Sequence, residues 1–282
     1  MNLIDTHLHL LHPERFTYAW TAGLPALSGR GFTHEQFLAR VAEAKGGANV
    51  AASFFMEVDV PAEEQEGEAA YFSGLTRTGQ IAGVISSCRP ESPEFPAQLE
   101  RLAADPSVRG LRRVLHTQPD ALLTDPLLRA NLRRLEATGL SFDLCVLARQ
   151  LPRALELARA CPETRFVLDH LGVPSITTGE LDPWRTELRA LATCPNVACK
   201  ISGVTGYADA ARPLMPQIRP FVEHAVECFG YDRLLWGSDW PVCELTFGLP
   251  AWLDASAELF AGASPDERLR LAQGNVPKWY RI

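Results

Sequence analysis

Two histidines near the amino terminus have the spacing of residues that share one face of a β-strand. His7 and His9 lie at the end of the apolar run Leu3–His9. Side chains two residues apart on a strand point to the same side, so both imidazoles are expected to face one interior. Two neutral imidazoles can bind one cation, or one can bind a substrate while the other transfers protons. A hydrogen-bonded pair in a core is the alternative.

Two more ionisable residues belong to later apolar runs. Asp239 follows the run Arg233–Ser238, and His170 lies within Phe166–Leu171. A carboxylate at a strand end can ligate a metal and act as a general base toward water, because both roles use the same lone pairs. We therefore predict Asp239 and His170 as catalytic residues, with Asp239 also a metal ligand. The alternatives are a turn cap for Asp239 and a core histidine for His170.

Glu57 lies in the second apolar run, Asn49–Val58. A carboxylate in such a run is costly to bury unless it is paired or functional. Glu57 could complete a metal site with His7 and His9, or it could hold an arginine. Asp143, in the fifth run, could play either role.

A further set of polar and aromatic residues suits substrate binding. Arg112, Arg113 and Lys200 could bind a carboxylate, a polarised carbonyl or hydroxyl groups. Only one of the two adjacent arginines can face the interior, because neighbours on a strand point to opposite sides. His116 follows the same run, and Trp20 lies in the long aromatic-rich segment 10–32. That segment could close over a substrate, or it could pack only its own aromatics at the surface.

The elements that must position these residues alternate between short apolar runs and helical patterns. The runs are too short for helices and several are rich in Val, Ile or Phe, so we predict strands. They are Leu3–His9, Asn49–Val58, Gln80–Ser86, Val108–Leu115, Ser141–Val146, Phe166–Leu171, Val197–Ser202 and Arg233–Ser238. Eight such units without a linker predict an α/β fold, a single parallel (β/α)8 TIM barrel over residues 1–282.

The barrel prediction also places the site, because barrel active sites lie at the carboxyl ends of the strands. Helix starts between the runs agree with it, such as the capping box at Thr33 and the start at Ser264, where proline takes the first helical position. A doubly wound dinucleotide-binding sheet is not supported, since no Gly-x-Gly-x-x-Gly follows the first run. The absence of a Gly-x-Ser-x-Gly motif argues against a serine hydrolase and favours water as the nucleophile.

The overall composition narrows the class of partner. With 27 basic and 34 acidic residues the formal net charge is −7, which argues against nucleic acid or an anionic membrane surface. The seven cysteines are odd in number and form no Cys-x-x-Cys, so neither a disulfide framework nor a zinc knuckle is expected. The first run begins too early for a signal peptide, and no apolar stretch is long enough for a membrane helix. We expect a cytoplasmic enzyme with a small-molecule substrate; its oligomeric state is open.

Several segments together resemble the amidohydrolase superfamily, in its amidohydrolase-2 branch. The order and spacing of the segments carry the resemblance, which covers nearly the whole chain. The segments are Ile4–His9, Leu168–Pro174, Lys200–Gly203, Trp236–Pro241 and Asn275–Tyr280. Within that branch the chain resembles the sugar-lactone hydrolases, a group that includes fuconolactonases and rhamnonolactonases; the segment Arg15–Trp20 supports this.

The resemblance implies a division of roles among the candidate residues. Asp239 would activate water, and His7, His9 and His170 would hold a metal ion or polarise a lactone carbonyl. The implied reaction opens a lactone of a sugar acid or a related carboxylated ring. Two alternatives remain: a metal-dependent non-oxidative decarboxylase of the same branch, and a barrel that binds a sugar acid without catalysis.

The chain departs from the two-metal members of the superfamily. Those members use a carboxylated lysine on strand 4 and a histidine on strand 5. In this chain strand 4 offers Arg112, Arg113 and His116, and strand 5 offers Asp143. We therefore expect at most one divalent ion, with zinc as the first candidate. Metal-free hydrolysis stays open, with an arginine or lysine stabilising the oxyanion.

Overall fold

The computed structural model describes residues 1–281 as eight parallel strands that alternate with helices. The strands pair in chain order, each with the next. They are β1 (Asn2–Leu8), β2 (Asn49–Met56), β3 (Gly83–Ser87), β4 (Val108–Val114), β5 (Ser141–Cys145), β6 (Phe166–Leu168), β7 (Val197–Ile201) and β8 (Leu234–Trp236). This confirms the predicted (β/α)8 barrel.

Helices follow the strands and cover the outside of the sheet. In residues 1–281 the α-helices are α1 (His34–Val41), α2 (Gln65–Arg77), α3 (Phe95–Ala104), α4 (Pro126–Arg133), α5 (Leu151–Ala160), α6 (Trp184–Ala192), α7 (Leu214–Phe229), α8 (Gly248–Leu259), α9 (Pro265–Leu269) and α10 (Val276–Trp279). Thr33 forms the predicted capping box at the start of α1, and α9 begins at the predicted start after Ser264, which also forms a capping box. None of these helices combines the length and the apolar character needed to cross a bilayer.

The barrel closes where the carboxyl ends of β1 and β8 meet. Leu8 forms a parallel bridge with Trp240. The backbone N–H of His9 donates to the Trp240 carbonyl at 2.8 Å, and that of Asp239 donates to the His7 carbonyl at 2.9 Å. Closure therefore joins the segments that carry the predicted histidine pair and the predicted carboxylate.

β6 and β8 are each three residues long, half the length that the sequence predicts. β6 ends at Leu168, because His170 and Leu171 have φ values of 53° and 57° in the left-handed region. β8 ends at Trp236, shortly before Asp239, whose φ is 55°. A non-glycine residue in this region interrupts the extended backbone and is uncommon outside turns and functional sites.

The apolar core has two parts. The larger part lies between the sheet and the helices. The smaller part packs side chains of β2, β3, β6, β7 and β8 against α10 and Tyr280. The Tyr280 hydroxyl donates to Asp143 at 2.8 Å, so this cluster meets the ionisable residues of the barrel interior.

The cysteines belong to these packed regions. All seven are free thiols, and all except Cys228 are buried.

Candidate active site

A cavity of about 210 Å³ opens at the carboxyl ends of the strands. Its wall combines polar and apolar side chains from most of the segments that follow the strands. They are His9, Trp20, Val58, Asp59, Arg112, Val114, His116, Thr117, Cys145, His170, Tyr207, Asp239 and Val242. The predicted substrate-binding residues Trp20, Arg112 and His116 are thus at the cavity.

Three imidazoles converge on one oxygen of Asp239. Its Oδ1 lies 3.7 Å from Nε2 of His7, 3.5 Å from Nε2 of His9 and 3.9 Å from Nε2 of His170. All four residues are buried. The structure therefore brings together the two predicted catalytic residues and the predicted histidine pair.

The protonation of His9 follows from its hydrogen bond to the backbone. Its Nδ1 lies 3.0 Å from the Met56 carbonyl oxygen, which can only accept, so Nδ1 carries the proton. In the neutral ring Nε2 is then an acceptor, and it faces another acceptor, the Asp239 carboxylate. The second Asp239 oxygen, Oδ2, is buried without a hydrogen-bond partner in residues 1–281. Hydrogen-bond acceptors this close together can share a proton or bind a cation.

The same residues satisfy the spacing of a metal-binding group. Ligand atoms of His7, His9 and Asp239 all lie within 4.8 Å of one another, and so do those of His7, Asp169 and His170. Burial lowers the pKa of His7 well below its usual value, and it lowers the pKa of His170 as well. Both rings are neutral at pH 7, which is the form that ligates metals.

Glu57 belongs to an ion pair and not to the histidine group. Arg112 Nε donates to its Oε1 at 2.5 Å, and Ser87 donates to its Oε2 at 2.5 Å. Burial alone would raise the pKa of Glu57, but the Arg112 charge and the hydrogen bonds outweigh it and lower the pKa. Of the two roles open to Glu57, the structure favours holding an arginine over ligating a metal.

The two adjacent arginines face opposite sides of β4. Arg112 lines the cavity, and its Nη1 lies 3.3 Å from Nε2 of His7. Arg113 instead pairs with Glu91 at 2.9 Å and is not among the cavity residues. Arg112 is therefore the one of the two arginines that faces the cavity, and Arg113 lies outside its lining.

Lys200 is also not where substrate binding would need it. Its ammonium is fully buried, 2.5 Å from Asp143 Oδ2, 3.1 Å from Asp169 Oδ1 and 3.3 Å from His7 Nδ1. It lies behind His7 and outside the cavity lining. Burial would raise the pKa of Asp169, but Lys200 and His7 hold it well below its usual value. Lys200 thus keeps a carboxylate charged against His7.

The cavity includes residues to which the sequence assigned no role. Tyr207 comes from the loop after β7, and neither its spacing nor its neighbours in the sequence marks it. Asp59 could have been found from the sequence, because it is a second carboxylate just beyond the predicted end of the second strand.

Two predicted substrate-binding residues complete this part of the cavity. Trp20 belongs to the segment 10–32 and donates its indole N–H to the Val58 carbonyl at 3.0 Å. His116 is neutral, because burial lowers its pKa to about 4.

Comparison with known proteins agrees with this geometry. An L-fucono-1,5-lactonase of Burkholderia ambifaria is 37% identical over 214 residues, which cover 73% of each chain. A 2-pyrone-4,6-dicarboxylate hydrolase of Comamonas testosteroni is 30% identical over 181 residues, 61% of this chain and 57% of that protein. A crystal structure of an amidohydrolase from Burkholderia multivorans with bound zinc matches with a TM-score of 0.84, 28% identity and 99% coverage of both chains.

The family model described as amidohydrolase matches residues 4–282. That span includes both ends of the barrel and every residue of the candidate site. The chain is therefore a member of the amidohydrolase family, in the amidohydrolase-2 branch.

Proposed function

We propose that this protein hydrolyses a lactone to the open hydroxy acid, with Asp239 as the general base. One observation carries the proposal: a buried carboxylate, surrounded by three imidazoles, lies at the wall of a small cavity. A carboxylate so placed can bind a water molecule and take its proton. The L-fucono-1,5-lactonase relative supports a lactone as the substrate.

The proposed reaction starts with a water hydrogen-bonded to Asp239. Asp239 takes a proton as the water oxygen bonds to the lactone carbonyl carbon, and the carbonyl oxygen becomes an oxyanion. When the bond to the ring oxygen breaks, Asp239 returns the proton to that oxygen. The product carries a new hydroxyl and a carboxylic acid, which loses its proton to solvent, so Asp239 ends as a carboxylate.

Arg112 supplies the positive charge nearest to this chemistry. It lines the cavity, and Glu57 holds its guanidinium through two hydrogen bonds. Nε donates to the Glu57 carboxylate, and Nη2 donates to the Glu57 backbone carbonyl at 2.6 Å. A guanidinium held in place stabilises a developing oxyanion without reorganising. Lys200 lies outside the cavity, so the proposed oxyanion stabiliser is Arg112.

The donor set also fits one divalent cation. His7, His9 and Asp239 would hold it, with His170 nearby; the unpartnered Asp239 oxygen and the bare His9 nitrogen favour this. Zinc is the first candidate, since these are ligands that it prefers and a related structure contains it. When bound, the ion would polarise the carbonyl or lower the pKa of water. Arg112, 3.3 Å from His7, argues against a second ion there.

A pH-indicator assay on a panel of lactones tests the proposed function. Purified protein should open L-fucono-1,5-lactone or a related sugar lactone far faster than buffer does. Carbon dioxide release from aromatic acids is the matched assay for the decarboxylase alternative and should be negative. Failure to accelerate the opening of any lactone, with or without added zinc, would contradict the proposal.

A further inference from the structure

We propose that Asp59 selects neutral, hydroxylated lactones and disfavours lactones that carry carboxylates. This inference rests on the proposed lactone hydrolysis and names its substrate class. Asp59 would accept hydrogen bonds from ring or side-chain hydroxyls of the substrate and repel a ligand carboxylate.

The first support is the unused bonding capacity of the Asp59 side chain. Asp59 lines the cavity and is partly exposed there. Within residues 1–281 its carboxylate is in no salt bridge and accepts no hydrogen bond, whereas the nearby Glu57 is held by Arg112 and Ser87. A carboxylate only accepts hydrogen bonds, so its open lone pairs match hydroxyl donors.

The second support is the way in which the backbone presents this carboxylate. Asp59 has φ of 48°, in the left-handed region that non-glycine residues rarely adopt. Its N–H donates to Glu57 Oε2 at 2.8 Å, and Glu57 is itself fixed by Arg112. His170 and Asp239 share the same backbone feature at the cavity. Strain of this kind persists where the surroundings impose it, commonly at ligand sites.

The third support is the balance of charge around the cavity. Among the described residues of the lining, Arg112 is the only lysine or arginine. The buried Glu57 carboxylate pairs with it. Asp59 and Asp239 add two carboxylates to the lining. Arg113 and Lys200, which could have bound an anion, pair with protein carboxylates outside the cavity. A carboxylate on the substrate would therefore lie near Asp59 and Asp239, with no unpaired lysine or arginine among the described residues of the lining.

The variant Asp59→Asn tests the inference without disturbing the backbone. Asn tolerates the left-handed conformation as Asp does, so the substitution removes the charge and little else. The readout is kcat/KM for L-fucono-1,5-lactone and for 2-pyrone-4,6-dicarboxylate. A matched control is Glu163→Gln, which removes one exposed charge between α5 and β6, at the opposite end of the barrel.

We expect the wild type to prefer the neutral lactone. In Asp59→Asn, kcat/KM for that lactone should fall about tenfold, mainly through KM, since a charge-assisted hydrogen bond is replaced by a weaker neutral one. The value for the dicarboxylate should hold or rise, and Glu163→Gln should keep the wild-type ratio. A wild type that prefers the dicarboxylate, or an unchanged ratio in Asp59→Asn, overturns the Asp59 assignment alone. A wild type that opens no lactone overturns the lactone proposal and this inference together.

Discussion

The backbone N–H of Asp239 donates to the carbonyl oxygen of His7 at 2.9 Å. This hydrogen bond joins the last strand segment to the first and sets the Asp239 carboxylate 3.7 Å from the His7 imidazole. Barrel closure and assembly of the site are therefore one structural event. A chain that fails to close the barrel would also lack the proposed base.

Replacing the two adjacent arginines one at a time tests which of them serves the cavity. Arg112→Lys should lower kcat/KM for a lactone by about tenfold to a hundredfold, because lysine cannot reproduce the bidentate hold by Glu57. Arg113→Lys, the matched control, should leave kcat/KM near the wild-type value. Equal losses in both variants would argue that Arg112 has no special role.

Lys200→Met separates support of the site from substrate binding. It leaves Asp143 and Asp169 buried without their cation, so we expect a stability loss of about 3–5 kcal/mol. If Lys200 acts through Asp169 and His7, kcat falls, its pH profile shifts and KM stays close to the wild-type value. Lys45→Met, at an exposed lysine, is the control. A rise in KM with unchanged kcat would instead place Lys200 in contact with substrate.

Asp5 gives a pH-dependent stability prediction. Its Oδ1 accepts the N–H groups of His7 and Ser238, and burial raises its pKa to about 6 from the usual 3.8. The folded state therefore binds the proton more tightly, and this contribution to stability is lost as pH rises from about 4 through about 6. The wild type should lose about 2 kcal/mol relative to Asp5→Asn across that range.

Urea unfolding of the two proteins at several pH values, with chelator present, measures this difference. Asp266→Asn, at an exposed aspartate of α9, is the control, and its unfolding free energy should change with pH as that of the wild type does. If the difference in unfolding free energy between wild type and Asp5→Asn stays constant from pH 4 to pH 7, the pKa of Asp5 is not raised and the prediction is wrong.

Zinc binding should stabilise the protein by mass action. At a free zinc concentration a hundred times its Kd, the unfolding free energy should rise by about 2.7 kcal/mol over that of chelator-treated protein. His9→Gln should weaken this effect, while the buried His224, which lies outside the cavity, provides a control in His224→Gln. The absence of any zinc-dependent shift in Tm would leave Arg112 as the main electrophile.

Periodicity and spacing were enough to predict the barrel and the convergence of His7, His9, His170 and Asp239. Each apolar run predicts one strand, and chain closure brings the ends together. The alternation of side chains also required that Arg112 and Arg113 face opposite sides. It could not say which side is interior, because alternation fixes relative and not absolute orientation.

The sequence could not predict how deep in the barrel each side chain lies. Lys200 points inward as alternation allows, yet its register opposite Leu235 places it behind His7, and register is set only when strands pair. Tyr207 reaches the cavity through the path of a loop, which no periodic pattern describes. The early ends of β6 and β8 depend on left-handed residues such as His170, a conformation that its residue type does not predict.

The most direct measurement of the central claim compares the rate of L-fucono-1,5-lactone opening by wild type and by Asp239→Asn. Both proteins are assayed at one pH, with the spontaneous rate subtracted and thermal unfolding recorded. We predict a loss of at least about a hundredfold in kcat, the scale of a missing general base, with Tm little changed. Near-normal kcat in a folded Asp239→Asn variant would contradict the assignment of Asp239 as the water-activating base.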